Sequence, residues 1–314
     1  MNILASNDRR KDIVQNWIDW LPADHMWVTE FLSRDLSKYD LIMVYLTDEK
    51  WIDLVGKTKK KYPHIKMVLQ IDSDWGEVAP PNYTEINGET LNILRSMDLI
   101  IDSSWFTHNY LKSKGCMSGH FISLTPEFAE FKIAPMSYWE RKKLNLGASV
   151  IHAQTPCEQI KVKEFIRELK LKPMYIGSDW AKGDQTIGLN SDEYFPSYGN
   201  TEDYIKKLNT GLVGFVDDYS GVSRFTHECA ILKIPVIGTR TAFLLKEYVS
   251  DDMLCNYNSI STMKNIADEI IHDESLYNEI RENTYIKAIN YFKPEVARKR
   301  LITNLNSYMN INIK

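Results

Sequence analysis

The chain has 314 residues, 44% of them hydrophobic and 25% charged, with a formal net charge of −4. That length supports two domains of ordinary size, each with its own core, and the charge gives no general attraction to nucleic acid. The four cysteines (Cys116, Cys157, Cys229, Cys255) form no CxxC pair, which argues for a reducing compartment and against a zinc site or a disulfide frame. From the start, the short apolar run 1–5 (MNILA) is expected as a first strand. Residues 12–21 follow with Ile13, Trp17, Ile18 and Leu21 at helical spacing. Further apolar runs stand at 40–46 (DLIMVYL), 66–71 (KMVLQI), 98–101 (DLII) and 120–124 (HFISL). Helical patterns lie between them at 50–62, 89–97 and 105–114. Strands that read as continuous apolar runs are buried on both faces, so this alternation predicts a parallel sheet covered by helices. The first residues turn polar too soon for a signal peptide, and no apolar run approaches the ~20 residues of a spanning helix. A cytoplasmic protein, peripheral at a membrane at most, is the expectation.

Residues 126–147 break the rhythm with Pro126, Pro135 and the charged, helix-like YWERKKLNL, and read as the passage between domains. The scheme then repeats. A strand begins at 150–152, and 158–169 is a helix. Residues 173–177 are a strand, 201–208 a helix and 211–216 (GLVGFV) a strand. Residues 222–232 read as a helix, with Phe225, Cys229 and Leu232 at spacings of four and three, and 234–238 (IPVIG) as a buried strand. Helices at 261–272, 274–288 and 294–308 complete the chain, the last opening on Pro294. Two such halves place a ligand cleft at the carboxyl ends of their strands.

The stretch 217–239 draws the chemistry together. The polar loop Asp217-Asp218-Tyr219-Ser220-Gly221 leads into a helix whose first residues (Val222, Ser223, Arg224) offer free backbone N–H groups and a positive dipole end to a phosphate. Glu228 follows a turn and a half later, within reach of a hydroxyl of whatever carries that phosphate. The plain alternative is an ordinary surface helix with Glu228 solvated. Other candidates sit at strand ends. Asp72 and Asp74, with Trp75 beside them, follow an apolar strand; an Asp-x-Asp pair can hold a divalent cation or simply be loop. Gln154 stands just past a strand, and Lys161 in the next helix can pair with a phosphate as a point charge. Gly177 marks another strand end where backbone can approach a base. His108 lies on the helix after Asp102-Ser103-Ser104, facing the cleft or solvent. The run Lys57-Thr58-Lys59-Lys60-Lys61 reads as a solvated helix face, or as a patch for anionic lipid headgroups. GxGxxG after the first strand, GxxxxGK[ST], GxSxG and HExxH are all missing.

The order of these pieces resembles the GT-B glycosyltransferases, closest to the retaining family 4 type. The likeness spans most of the chain and is carried chiefly by Ser220-Gly221, Glu228-Cys229-Ala230, Ile234-Pro235-Val236-Ile237-Gly238-Thr239 and the tail segment Phe292-Lys293-Pro294-Glu295. It implies two Rossmann-like domains facing across a cleft, with a C-terminal helix returning to the first. The expected limits are 1–132 for the acceptor domain, 133–292 for the donor domain and 293–314 for the returning helix. It implies a hexosyltransferase that moves a sugar from a nucleotide-diphosphate sugar to a glycan, lipid-linked or protein acceptor, with retention, and without metal, cofactor or nucleic acid. By the same likeness Glu228 contacts the donor ribose. Gly221, Val222, Ser223, Arg224, Lys161, Gln154 and Gly177 line the donor site, Ser220, Asp218 and His108 are the catalytic candidates, and Asp72, Asp74 and Trp75 face the acceptor. Three positions depart from the family pattern: Ser220 stands where its first glutamate would be, Ala153-Gln154 where Gly-Arg would be, and Ser6-Asn7-Asp8 where a glycine-rich loop would be. A sugar-nucleotide 2-epimerase of the same fold, suggested by Asp218-Tyr219-Ser220-Gly221, and a nucleotide-binding module with weakened catalysis, suggested by Ser220 and Gln154, are the other readings.

Overall fold

The computed structural model describes residues 1–8, 14–46, 49–71, 86–102, 105–121, 133–151, 165–177, 194–196, 201–216, 224–239, 249–255 and 260–313. The chain divides into two units, Met1–Thr125 with Lys293–Lys314, and Pro126–Phe292.

The first unit is built on a six-stranded sheet of order β2-β1-β3-β4-β5-β6. Its strands are β1 (Ile3–Asn7), β2 (Asp24–Trp27), β3 (Leu41–Leu46), β4 (Lys66–Ile71), β5 (Leu99–Asp102) and β6 (Ser118–His120), and every neighbouring pair is parallel. The apolar runs form strands because both faces of the sheet are covered. Leu4, Ile42, Val44, Met67, Leu69 and Ile100 pack with Val55 of α2 (Ile52–Lys61), Leu94 of α3 (Gly88–Ser96) and Leu111 of α4 (Trp105–Ser113). Ile3, Ala5, Leu41, Met43, Val68, Leu99 and Ile101 form the opposite face. There they pack with Trp17 of α1 (Gln15–Trp20) and with Leu301, Leu305 and Met309 of the C-terminal helix Pro294–Met309. That helix does return to the first unit, and Arg298 Nε donates to Trp20 O at 2.8 Å.

Three readings of this unit change. Strand β2 (DHMW) was not anticipated: it is a partly exposed edge strand, so little of its sequence has to be apolar. Where a strand was expected at 120–124, the described strand is Ser118–His120, and 122–124 lie outside the described residues. The basic run is not one solvated face either. Thr58 is buried, and Lys59 reaches Asp98 at 2.6 Å while Lys57, Lys60 and Lys61 stay exposed. Asp98 also receives Lys66 at 2.9 Å and the Met67 N–H at 2.9 Å. Burial opposes its ionisation, but these three donors outweigh burial and hold its carboxyl below the usual carboxylate range. A depressed pKa gives stability that is present above the unfolded pKa and is lost as pH falls through the folded one. Asp98→Asn is therefore expected to destabilise the protein by about 1 kcal/mol at neutral pH. In urea melts, that difference from the native protein should close as the pH is lowered below about 4; a difference that is constant with pH would refute the assignment.

The second unit has its own six-stranded sheet, of order β12-β11-β10-β7-β8-β9, again with all neighbours parallel. Its strands are β7 (Leu146–Ile151), β8 (Lys172–Gly177), β9 (Tyr194–Pro196), β10 (Gly211–Val216), β11 (Val236–Thr239) and β12 (Leu254–Cys255). Strand β7 begins four residues before the expected 150 because its small residues, Gly147 and Ala148, hide it from an apolar-run search. A Cβ on Gly147 would lie 3.1 to 3.3 Å from Ile166, Leu171 and Phe215, so the small residue is what lets core side chains close over the strand. The helix-like stretch ahead of it is real: α5 (Tyr138–Leu144) opens with a capping box between Ser137 and Glu140 and ends at Asn145 in the left-handed conformation. The unit's described helices include Thr201–Leu208, Arg224–Ile231, Ile260–His272 and Glu274–Phe292. Among the described residues no helix is long and apolar enough to cross a membrane.

Candidate functional site

The strand order of the second unit locates its binding edge. From β7 the chain adds β8 and β9 on one side, then crosses to add β10, β11 and β12 on the other. The topological switch therefore lies between β7 and β10, and ligands of open parallel sheets bind beyond the strand ends at such a switch. The two strands are in register at Phe215 and Ser149, and the buried Ser149 hydroxyl donates across to Phe215 O at 3.1 Å. β7 ends at Ile151 and β10 at Val216. In sequence, Gln154 and Lys161 follow the first of these ends, and Asp218, Ser220, Gly221, Val222 and Ser223 follow the second. All seven lie outside the described residues, as do Asp72, Asp74 and Trp75. Gly177 closes β8 in register with Ile151, and Arg224 is the first residue of the helix that follows β10.

That helix is not the solvated surface helix of the plain alternative. Every residue from Phe225 to Ala230 is buried, and Glu228 is only 3% exposed. Phe225 and Cys229 face β10 as their spacing requires. A Cβ on Gly214 would stand 3.2 Å from Cys229 Sγ and 3.3 Å from the Phe225 ring, so glycine permits the close approach of helix to strand. On another side His227 packs edge-on against Phe292, with ring centroids 4.3 Å apart. Burial pushes the His227 pKa down to about 3, so its imidazole is neutral at working pH. Burial, with the neighbouring Glu228 charge, pushes the Cys229 thiol well up, which removes it as a nucleophile.

The helix's C-terminal end is held by Arg141 of α5. The fully buried guanidinium donates to Leu232 O at 2.5 Å, Lys233 O at 2.6 Å, Asn209 O at 3.1 Å, Asn209 Oδ1 at 2.9 Å and Tyr277 Oη at 3.2 Å. Two of these acceptors are carbonyls at the helix's negative end, where a cation is favoured. Lys233 turns the chain out in the left-handed conformation (φ 55°), and the Ile234 N–H closes back on Cys229 O at 2.8 Å. Glu228 itself accepts a hydrogen bond on Oε2 from the Tyr204 hydroxyl, offered by the helix Thr201–Leu208. Neither Arg141 nor Tyr204 was singled out from the sequence, since each contacts its partner across a sequence separation that leaves no local period.

The remaining candidate belongs to the first unit. His108 is buried in α4, with Nδ1 3.0 Å from Ser118 Oγ and its ring stacked on His120 at 5.4 Å. Burial, then the Lys112 charge, lowers its pKa. It is thus a neutral imidazole tied to β6, neither solvated nor on the same unit as Glu228. The same unit shows a polar row that sequence reading passed over. Asn7 of β1 pairs with Tyr45 of β3, which pairs with Gln70 of β4, at or near the carboxyl ends of three strands. His25 Nε2 lies 3.1 Å from Asn7 Oδ1. The available signal was a polar residue at or next to the end of an apolar strand, Asn7 in ILASN and Gln70 in KMVLQI.

No family model matches the sequence, and no curated protein does. Solved structures do. The sucrose-phosphate synthase tll1590 of Thermosynechococcus elongatus superimposes with a TM-score of 0.72 at 12% identity, over 99% of this chain and all 100% of that one. Anabaena Alr3699/HepE in complex with UDP-glucose gives 0.68 at 13% identity, over 98% and 100%. A trehalose-6-phosphate structure from E. coli bound with UDP-2-fluoro glucose gives 0.67 at 9% identity, over 100% of both chains. These are GT-B glycosyltransferases, and at such low identity the likeness speaks for architecture. Two parallel Rossmann-like sheets, a terminal helix that returns to the first unit and superposition along the full chain together establish that this chain has the GT-B fold.

Proposed function

We propose that this protein is a glycosyltransferase that moves a sugar from a uridine-diphosphate sugar to a glycan, lipid-linked or protein hydroxyl. The observation that carries the reading is Glu228: a buried carboxylate on the helix that leaves β10 at the topological switch of the second unit. Carboxylates are seldom so deeply buried, and one placed at the switch point of a parallel sheet stands where ligands of this architecture bind. An ionised carboxylate accepts hydrogen bonds only, which suits a pair of ribose hydroxyls. The N-terminal residues Gly221 to Arg224 would hold the diphosphate, with Lys161 and Gln154 from the segment after β7 and Gly177 beside the base. Stabilisation of the departing diphosphate by backbone N–H groups and cations is then the main catalytic effect, and the scheme requires no metal. In this scheme Ser220 and Asp218 would serve the sugar side of the donor. Retention, and kinship with the family 4 type, belong to the same proposal through the motif around Glu228. The solved neighbours that bind UDP-glucose and UDP-2-fluoro glucose support the choice of nucleotide.

Glu228→Ala tests it. UDP should raise the melting temperature of the native protein, because a ligand of the folded state stabilises it by mass action. The variant should keep a cooperative unfolding transition while its calorimetric affinity for UDP falls by about tenfold or more, the worth of hydrogen bonds to a charged group. Unchanged affinity would remove Glu228 from the site.

A further inference from the structure

A second helix grips the carboxylate of Glu228. The helix Thr201–Leu208 leads into β10, and the helix Arg224–Ile231 leaves it. Tyr204 on the first donates its hydroxyl to Oε2 of Glu228 on the second. On the same helix, Glu202 and Lys206 pair with each other at 2.6 Å on an exposed face, while Ile205 and Leu208 are buried in the core. Tyr204 is partly buried between these two environments. A carboxylate removed from water stays ionised only when donors reach it. The Tyr204 hydroxyl is one such donor, and as a neutral group on a second helix it fixes the direction in which the carboxylate points.

We propose that Tyr204 is the positioning residue of the nucleotide site, holding the Glu228 carboxylate in the orientation that accepts the ribose hydroxyls. This rests on the reading of Glu228 as the ribose contact. It adds a residue that touches no ligand yet sets how well the site tells a ribose from a sugar lacking those hydroxyls.

The test compares UDP with 2′,3′-dideoxy-UDP by calorimetry on the full chain. The native protein should prefer UDP by about tenfold or more, and Glu228→Ala should abolish that preference. Tyr204→Phe, which removes a single oxygen, should cut the preference by about threefold or more while leaving the affinity for the dideoxy ligand unchanged. Adding Tyr204→Phe to Glu228→Ala should then cost nothing further, since the two act as one unit. A merely structural tyrosine would weaken both ligands equally. Equal weakening, or an unchanged preference in Tyr204→Phe, overturns the proposal and leaves Glu228 in its role. Should Glu228→Ala keep the preference for UDP, the role of Glu228 falls, and that of Tyr204 with it.

Discussion

Arg141→Met is expected to destabilise the second unit by about 4 kcal/mol, the range seen when a buried hydrogen-bonded network loses its centre. The side chain is fully buried, and five hydrogen bonds radiate from it. Methionine fills much of the volume, so packing is largely kept and the loss isolates the polar part. What remains after substitution is a set of acceptors, Leu232 O, Lys233 O and Asn209 O, without their cation, while Asn209 Oδ1 keeps the Met136 N–H. Each such orphan costs on the order of 1 to 3 kcal/mol, and partial relaxation keeps the sum below the simple total. Arg141→Lys should recover only part of the loss, because an ammonium cannot fork toward two carbonyls and an amide at once. Urea denaturation followed by far-ultraviolet circular dichroism would measure both variants. A loss under about 1 kcal/mol for Arg141→Met would show that the network is dispensable. If the proposed function holds, the same change weakens UDP binding, since Arg141 fixes the end of the helix on which Glu228 rides.

Removing the inward side chain of the returning helix should have the next largest effect. Leu305 is fully buried among residues of the first sheet's second face, with Leu301 and Met309 on the same stripe. Leu305→Ala is expected to cost about 3 kcal/mol, the transfer free energy plus the cavity left behind. Val296 on the same helix is 41% exposed, so Val296→Ala should stay within about 0.5 kcal/mol. The pair separates packing from helix propensity, because alanine favours a helix at both sites. Equal effects at the two positions would mean that the helix is not part of the first unit's core. The stripe also explains why Lys293–Lys314 groups with Met1–Thr125 and not with the residues that precede it.

Much of the architecture was legible from side-chain period. The run GLVGFV marked β10 to the residue, as KMVLQI marked β4 and TEDYIKKL its helix. Those segments are buried on both faces or on one clear stripe, so apolar spacing records their surroundings directly. The failures share a physical cause. Edge strands such as β2 and the three-residue β9 have neighbours on one side only, and β7 opens on residues too small to register as apolar. In the site, Glu228 stood out because its helix follows a polar loop and precedes a buried strand. Its degree of burial did not, since the period of Phe225, Cys229 and Leu232 leaves Glu228 on another face, where Tyr204 of a separate helix meets it.

By itself the sequence determined two alternating α/β halves, their buried strands and the position of the returning helix, and it singled out the stretch 217–239 that the proposed function builds on. These depend on local spacing, where a residue's neighbours in the chain are also its neighbours in space. The tertiary structure decided the strand order that puts the switch between β7 and β10, the polar row Asn7–Tyr45–Gln70, the Arg141 anchor and the Tyr204–Glu228 contact. Those join segments tens of residues apart. Which partner each polar group finds is fixed only when the whole core closes and every buried donor and acceptor must be matched.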